Sequence, residues 1–253
     1  MWTLQTAVRI LTVEVLLVVF VASLVRAVFG FGEALIAVPL LALILPVQIA
    51  VPLAVLISIA IAAVVVVQDW RKIHLRSTAW LFLPTLAGIP IGICLLKFGH
   101  QELIKAILAC VIVLFSVYSL LGQPIHLERD SHPWMFGCGF LAGILGGAYG
   151  MNGPPLVVYG AMRRWSPQHF RATLQAYFLP ASAIGIAGYA LSGLWTTPVT
   201  HYFLVSLIAA IPATLLGGII NRRLRGDAFL RYVYIGLIGI GIGLLVEAFK
   251  HRG

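Results

Sequence analysis

Residues Gly146-Gly147-Ala148-Tyr149-Gly150-Met151-Asn152-Gly153-Pro154-Pro155 interrupt apolar sequence that is otherwise long enough to be embedded in a membrane. Two glycines, an asparagine and two prolines crowd into positions 150–155, and such a stretch cannot continue an α-helix. Proline lacks the backbone N–H and clashes with the preceding turn, while glycine takes backbone angles that other residues avoid. In lipid, broken backbone is tolerated only where protein or a water-filled cavity satisfies the freed polar groups. A second, weaker copy, Gly30-Phe31-Gly32-Glu33 followed by Pro39, lies near the start of the chain. Glycine-interrupted hydrophobic segments at matching places in two halves point to the binding site of a secondary transporter.

Composition agrees with a membrane setting. Of 253 residues, 61% are hydrophobic and 10% are charged, against about 25% charged in an average soluble domain. Crossing about 30 Å of hydrocarbon takes about 20 apolar residues. Runs of that kind are predicted near 6–28, 48–68, 78–97 and 102–122, then near 134–149, 170–193, 199–220 and 228–248. Two shorter apolar pieces, 33–46 and 154–165, each follow a glycine break and are read as half-helices, tilted short spans or re-entrant arms. The expected fold is therefore an all-α polytopic membrane protein of eight full transmembrane helices plus two short broken helices.

The two halves repeat. Setting Gly30 on Gly150 brings Pro46-Val47-Gln48 onto Ser166-Pro167-Gln168, and a six-residue insertion then sets Gly92 on Gly218, Lys97 on Arg223 and Lys105 on Arg231. This divides the chain into a first membrane repeat, 1–122, a connecting loop, 123–133, and a second membrane repeat, 134–253. Basic residues gather in loops 69–76, 162–171 and 221–231, whereas the loops near 46–48 and 190–198 hold no Lys or Arg. The positive-inside rule puts the basic loops in the cytoplasm. They fall at non-equivalent places in the two repeats, which makes the repeats inverted, with both termini outside and the substrate near the midplane. The net charge of +9 is explained by the same rule and calls for no nucleic acid.

Half-helices that start after Gly32 and Gly153 aim unpaired N–H groups and a partial positive charge into the breaks, which suits an anion. The substrate-binding candidates are Arg26, Gly30, Phe31, Gly32 and Glu33 from the first break, with Gly150, Asn152, Gly153, Pro154 and the deeply placed Gln175 from the second. The alternative is a pair of kinks that only improve helix packing. Arg26, one turn before the first break, pairs with the substrate, pairs with Glu33, or snorkels to the membrane surface. Glu33 is either a protonatable coupling group or a first-turn acid that complements its own helix dipole. Gln48 and Gln168 offer neutral donors, Tyr149, Tyr159 and Tyr177 offer hydroxyls, and Arg163, Arg164 and Arg171 read as topology determinants.

Other chemistries find no support in the residues. Cys94, Cys110 and Cys138 stand alone in apolar runs and read as small hydrophobes. The seven histidines form no ligand pair, so neither a metal nor a cofactor is expected. No nucleophile has a base at recognisable spacing and no P-loop is present, so the chain is read as no enzyme and no ATP-driven pump.

Two stretches resemble the sulfite exporter TauE/SafE family of membrane permeases. They are Gly30-Phe31-Gly32-Glu33-Ala34-Leu35-Ile36-Ala37-Val38-Pro39-Leu40-Leu41, and Gly146-Gly147 through Gly150-Met151-Asn152-Gly153-Pro154-Pro155-Leu156-Val157-Val158-Tyr159 with Phe170-Arg171-Ala172-Thr173-Leu174. Glu33 and Asn152 stand where the family's motifs often carry glycine. The resemblance implies two homologous halves and transport of sulfite, sulfonates or related small anions across the bacterial inner membrane. Export is favoured by an inside-negative potential, which contributes about 2.3 kcal/mol per charge at 100 mV. Import would need proton or cation coupling, with Glu33 as the candidate; an anion channel and a non-transporting assembly protein are the other readings. The partners expected are the anion and membrane lipid, with a homodimer left open.

Overall fold

The computed structural model describes residues 2–29, 31–69, 75–122, 127, 131–163, 167–221, 235, 238–239, 241–242 and 245–246. Every regular element among them is helical: α1 Trp2–Phe29, α2 Glu33–Ile44, α3 Val47–Asp69, α4 Leu75–Phe98, α5 Gln101–Leu121, α6 His132–Tyr149, α7 Gly153–Met162, α8 Pro167–Leu191 and α9 Thr197–Asn221. Four of them, α1, α4, α5 and α9, contain apolar stretches long enough to cross a membrane. The chain is an all-α membrane protein. Helices α3, α6 and α8 coincide with three more predicted spans, although the apolar parts of α3 and α8 are shorter, Val47–Ala63 and Ala176–Leu191. The predicted span 228–248 and most of the basic loops lie outside the described residues. Arg163 is described, and its Nη1 donates to the Leu127 carbonyl at 2.8 Å.

Both breaks fall where the glycines and prolines place them. Helix α1 ends at Phe29, and Gly32 takes φ +96° immediately before α2 starts at Glu33. Helix α6 ends at Tyr149 with Gly150 at φ +65°; the Gly150 amide donates to the Gly146 carbonyl at 2.9 Å and the Met151 amide to the Leu145 carbonyl at 3.1 Å. Such left-handed geometry is cheap for glycine and costs other residues roughly 1–2 kcal/mol. The helices that follow are short. With 12 and 10 residues, α2 and α7 measure about 18 and 15 Å at 1.5 Å per residue. Leu35, Ile36, Val38 and Leu41 of α2 are buried with Pro39 and Ala42, which makes it an interior helix apolar on nearly every face.

Two helix pairs form the frame around these short pieces. Helix α4 lies against α6, and α1 against α9, while α3 and α8 meet each other between them. The α4–α6 contact is backbone against backbone. A Cβ on Gly88 or Gly92 would run into the Phe140 or Ile144 carbonyl, and one on Gly139, Gly143 or Gly147 into the Leu81, Thr85 or Ile89 carbonyl. Glycines four apart on both helices form the small-residue seam by which membrane helices approach closely without a hydrophobic driving force. On the other pair, Gly217 of α9 sits against Ala27 and the Leu24 carbonyl of α1.

Candidate functional site

The two breaks meet at one cavity. Its wall takes Arg26 from the last turn of α1, Phe31 and Gly32 from the first break, and Glu33 from the start of α2. The second break contributes Gly150, Met151 and Asn152, followed by Gly153 and Pro154 at the start of α7. Ala34 and Leu35 of α2, Ser58 of α3 and Phe178 of α8 complete the wall, which bounds about 380 Å³ of empty space, part of it opening outward. Eight of the ten residues singled out from the sequence line this space. Gly30 lies outside the described residues; Gln175 belongs to α8, but its side chain lies outside them too.

Arg26 and Glu33 form a buried ion pair. Arg26 Nη1 lies 2.5 Å from Glu33 Oε2, and the two residues are 4% and 2% exposed. The same nitrogen donates to the Ser58 hydroxyl. The guanidinium carbon lies 5.5 Å from the centre of the Phe178 ring, a cation–π distance. Arg26 thus points into the protein, with Glu33 as its partner. Nothing places it at the surface. Its Nε and Nη2 groups, and the Oε1 of Glu33, have no hydrogen-bond partner among the described residues. Burying charged groups with open valences is expensive, and here they stand at the edge of a cavity.

Asn152 is held from behind. Its amide lies against Gly146, where a Cβ would collide with Nδ2, and within hydrogen-bonding reach of the Tyr177 hydroxyl. The Tyr177 and Thr85 hydroxyls are 2.6 Å apart, and Thr85 Oγ1 reaches the Leu81 and Gly139 carbonyls at 2.9 and 2.8 Å. Those carbonyls can only accept, so the single Thr85 proton goes to them. Tyr177 then donates to Thr85, and its own oxygen is left to accept from the Asn152 amide. The chain ties the second break to the α4–α6 seam. It also removes Tyr177 from the supply of hydroxyls free for a substrate. Tyr149 is used in the same way, donating to the Ile104 carbonyl at 3.1 Å, while the Tyr189 hydroxyl caps the Gly146 and Gly147 carbonyls at 3.0 and 2.9 Å.

Sequence reasoning missed Ser58 and Phe178. Ser58 could have been noticed as the lone hydroxyl in an apolar run of α3. Phe178 carries no such mark, since an aromatic residue in an apolar helix is ordinary. Among the described residues no three His, Cys, Asp or Glu side chains gather as a metal group. Among the described residues the site has one cation, one anion, an amide, a hydroxyl and two helix starts. Residues Glu33 to Leu35 and Gly153 belong to first turns, whose amides have no partner four residues back. Such a wall suits a small oxyanion.

The family model described as Sulfite exporter TauE/SafE matches residues 15–244. A curated protein of Cupriavidus necator, named probable sulfite/organosulfonate exporter TauE, is 24% identical over 200 residues, which are 76% of this chain and 77% of that protein. No solved structure matches.

Proposed function

Since the chain belongs to the sulfite exporter TauE/SafE family, we propose that it is a secondary transporter that exports sulfite, sulfonates or related small anions across the bacterial inner membrane. The observation that carries this reading is the convergence of both glycine breaks on one cavity that holds a buried arginine. In this reading the Nε–Nη2 edge of Arg26, the Asn152 amide and the first-turn amides of α2 and α7 hold the anionic head. Gly30, Phe31, Gly32, Gly150, Gly153 and Pro154 shape the approach of backbone to ligand, and Gln175 adds a neutral donor from α8.

The inverted-repeat reading, with repeats 1–122 and 134–253, has support in the helix register. Helices α6, α7 and α8 start or end 120 residues after α1, α2 and α3: Tyr149 after Phe29, Gly153 after Glu33, Pro167 after Val47. Exchanging α1 with α6 and α4 with α9 turns the α4–α6 contact into α9–α1, and α3–α8 into itself. Rocking of one repeat against the other around the shared cavity would then expose it to each side in turn. Eight full spans with α2 and α7 as the short pair complete this architecture, with the last span in 228–248.

Gly153→Leu tests the site. A Cβ at Gly153 clears the Phe178 ring at 3.9 Å, so the backbone tolerates a side chain whose bulk then fills the cavity. Detergent-purified protein should be stabilised by sulfite, isethionate or sulfoacetate, by about 2.7 kcal/mol at 100 times the dissociation constant. The Gly153→Leu protein should unfold at a similar temperature without ligand and show no stabilisation. A full ligand-dependent shift in that variant would remove the cavity from the account.

A further inference from the structure

We propose that the site carries its anion together with one proton, held on Glu33, so that transport of a monovalent oxyanion such as a sulfonate moves no net charge. The proposal rests on the transport reading above and adds the coupling ion to it. It starts from how Arg26 uses its five N–H donors. One nitrogen, Nη1, serves both internal partners, Glu33 Oε2 and the Ser58 hydroxyl. The other edge, Nε with Nη2, is buried and unpartnered among the described residues. That edge is the planar fork that takes two oxygens of one oxyanion side by side. Arg26 can therefore hold Glu33 and a substrate at once.

Charge then decides what else must bind. Empty, the buried pair sums to zero. An anion on the free edge would leave one uncompensated negative charge in a dry site, a state that proteins avoid by changing protonation. Arg26 cannot supply the balance, since guanidinium keeps its proton in proteins. Glu33 can. A proton from water in the opened cavity adds to a Glu33 carboxylate oxygen, giving a neutral carboxylic acid that still accepts from Arg26, while the positive charge passes to the anion. On the far side the anion leaves, the proton returns to water, and the ion pair is restored.

Among the described residues, the surroundings leave Glu33 alone in this role. From α1 the facing group is Arg26; from α3 it is Ser58; the second break and α8 present Asn152 and the Phe178 ring. Helix α5 also touches α2 and carries Glu102 and Lys105, but the charge that acts on the Glu33 carboxyl is that of Arg26. Coupling of this kind takes the flux away from the membrane potential: export then runs down an outward anion gradient, and an outside-acid pH gradient opposes it.

Purified protein in vesicles loaded with a pH-sensitive dye tests this, with isethionate and methanesulfonate as probes because both stay monovalent over the working pH range. Sulfonate uptake should acidify the lumen with one proton per anion. A pH gradient of one unit should sustain about tenfold accumulation, and a potassium diffusion potential of either sign should sustain none. In Glu33→Gln, any remaining uptake should lose its proton signal and follow the potential. Wild-type uptake that follows the potential without moving protons overturns the coupling and leaves the transport reading standing. So does a proton signal that survives in Glu33→Gln. Uptake of sulfite but of neither sulfonate also overturns the proposal, while uptake of none of the three removes the transport reading with it.

Discussion

Replacing Arg26 with methionine is expected to abolish anion-dependent stabilisation and to lower the stability of the empty protein by about 3–5 kcal/mol, the cost of stranding a buried partner charge or of protonating it. The stranded group is Glu33, 2% exposed, whose charged partner in the site is Arg26. The double variant Arg26→Met with Glu33→Gln removes both charges and should recover most of the lost stability, because a neutral pair of similar volume is tolerated where a lone charge is not. It should recover none of the anion response. Thermal unfolding of the three purified proteins, with and without sulfite, measures both quantities. A single variant that keeps wild-type stability and its sulfite shift would mean that Arg26 is not the cation of the site.

The second large effect is expected far from any ligand. Gly143→Leu drives a side chain from α6 into the backbone of α4: the Cβ alone meets the Thr85 carbonyl and lies 2.9 Å from its Cα and 3.0 Å from that of Gly88. Backbone cannot turn aside as a long side chain can, so the seam must open. Overpacking of ordinary cores costs about 1–3 kcal/mol, and a backbone collision belongs at or beyond the top of that range. Opening the seam also breaks the Thr85–Tyr177–Asn152 chain, since Thr85 is fixed between the two helices. Gly137→Leu is the control on the same helix, where a Cβ meets open space. On size exclusion in detergent, Gly137→Leu should run as the parent does, while Gly143→Leu should aggregate or fail to extract. Equal behaviour of the two would mean that the α4–α6 contact is not the frame described.

The legible part of this protein is its punctuation. Glycine and proline limit the backbone locally, so both breaks, the short helices after them and the start at Glu33 follow from the sequence alone, whereas α7 begins at Gly153 itself, one residue before the expected start. The breaks also led to Arg26 and Asn152, because polar residues beside broken helices in apolar sequence have few places to go. What the sequence did not disclose are partners fixed through space. Arg26 had three readings, and only the fold brings Glu33 and Ser58 to the same nitrogen. Tyr177 is one of three tyrosines whose hydroxyls the sequence offers to a substrate, but in the fold it donates to Thr85, 92 residues earlier. The glycines at 88 and 92 and at 139, 143 and 147 were readable at their four-residue spacing. They mark a seam, but the spacing does not say which helix lies across it.

The measurement closest to the central claim is counterflow in vesicles. Purified protein is reconstituted, the lumen is loaded with unlabelled sulfite, and a trace of sulfur-labelled sulfite is added outside. A carrier with one alternately exposed site should concentrate the label transiently inside, above its equilibrium level, and Arg26→Met should show no such overshoot. Label that only equilibrates while the vesicles conduct current, or label that never enters, would contradict a carrier built around the paired breaks.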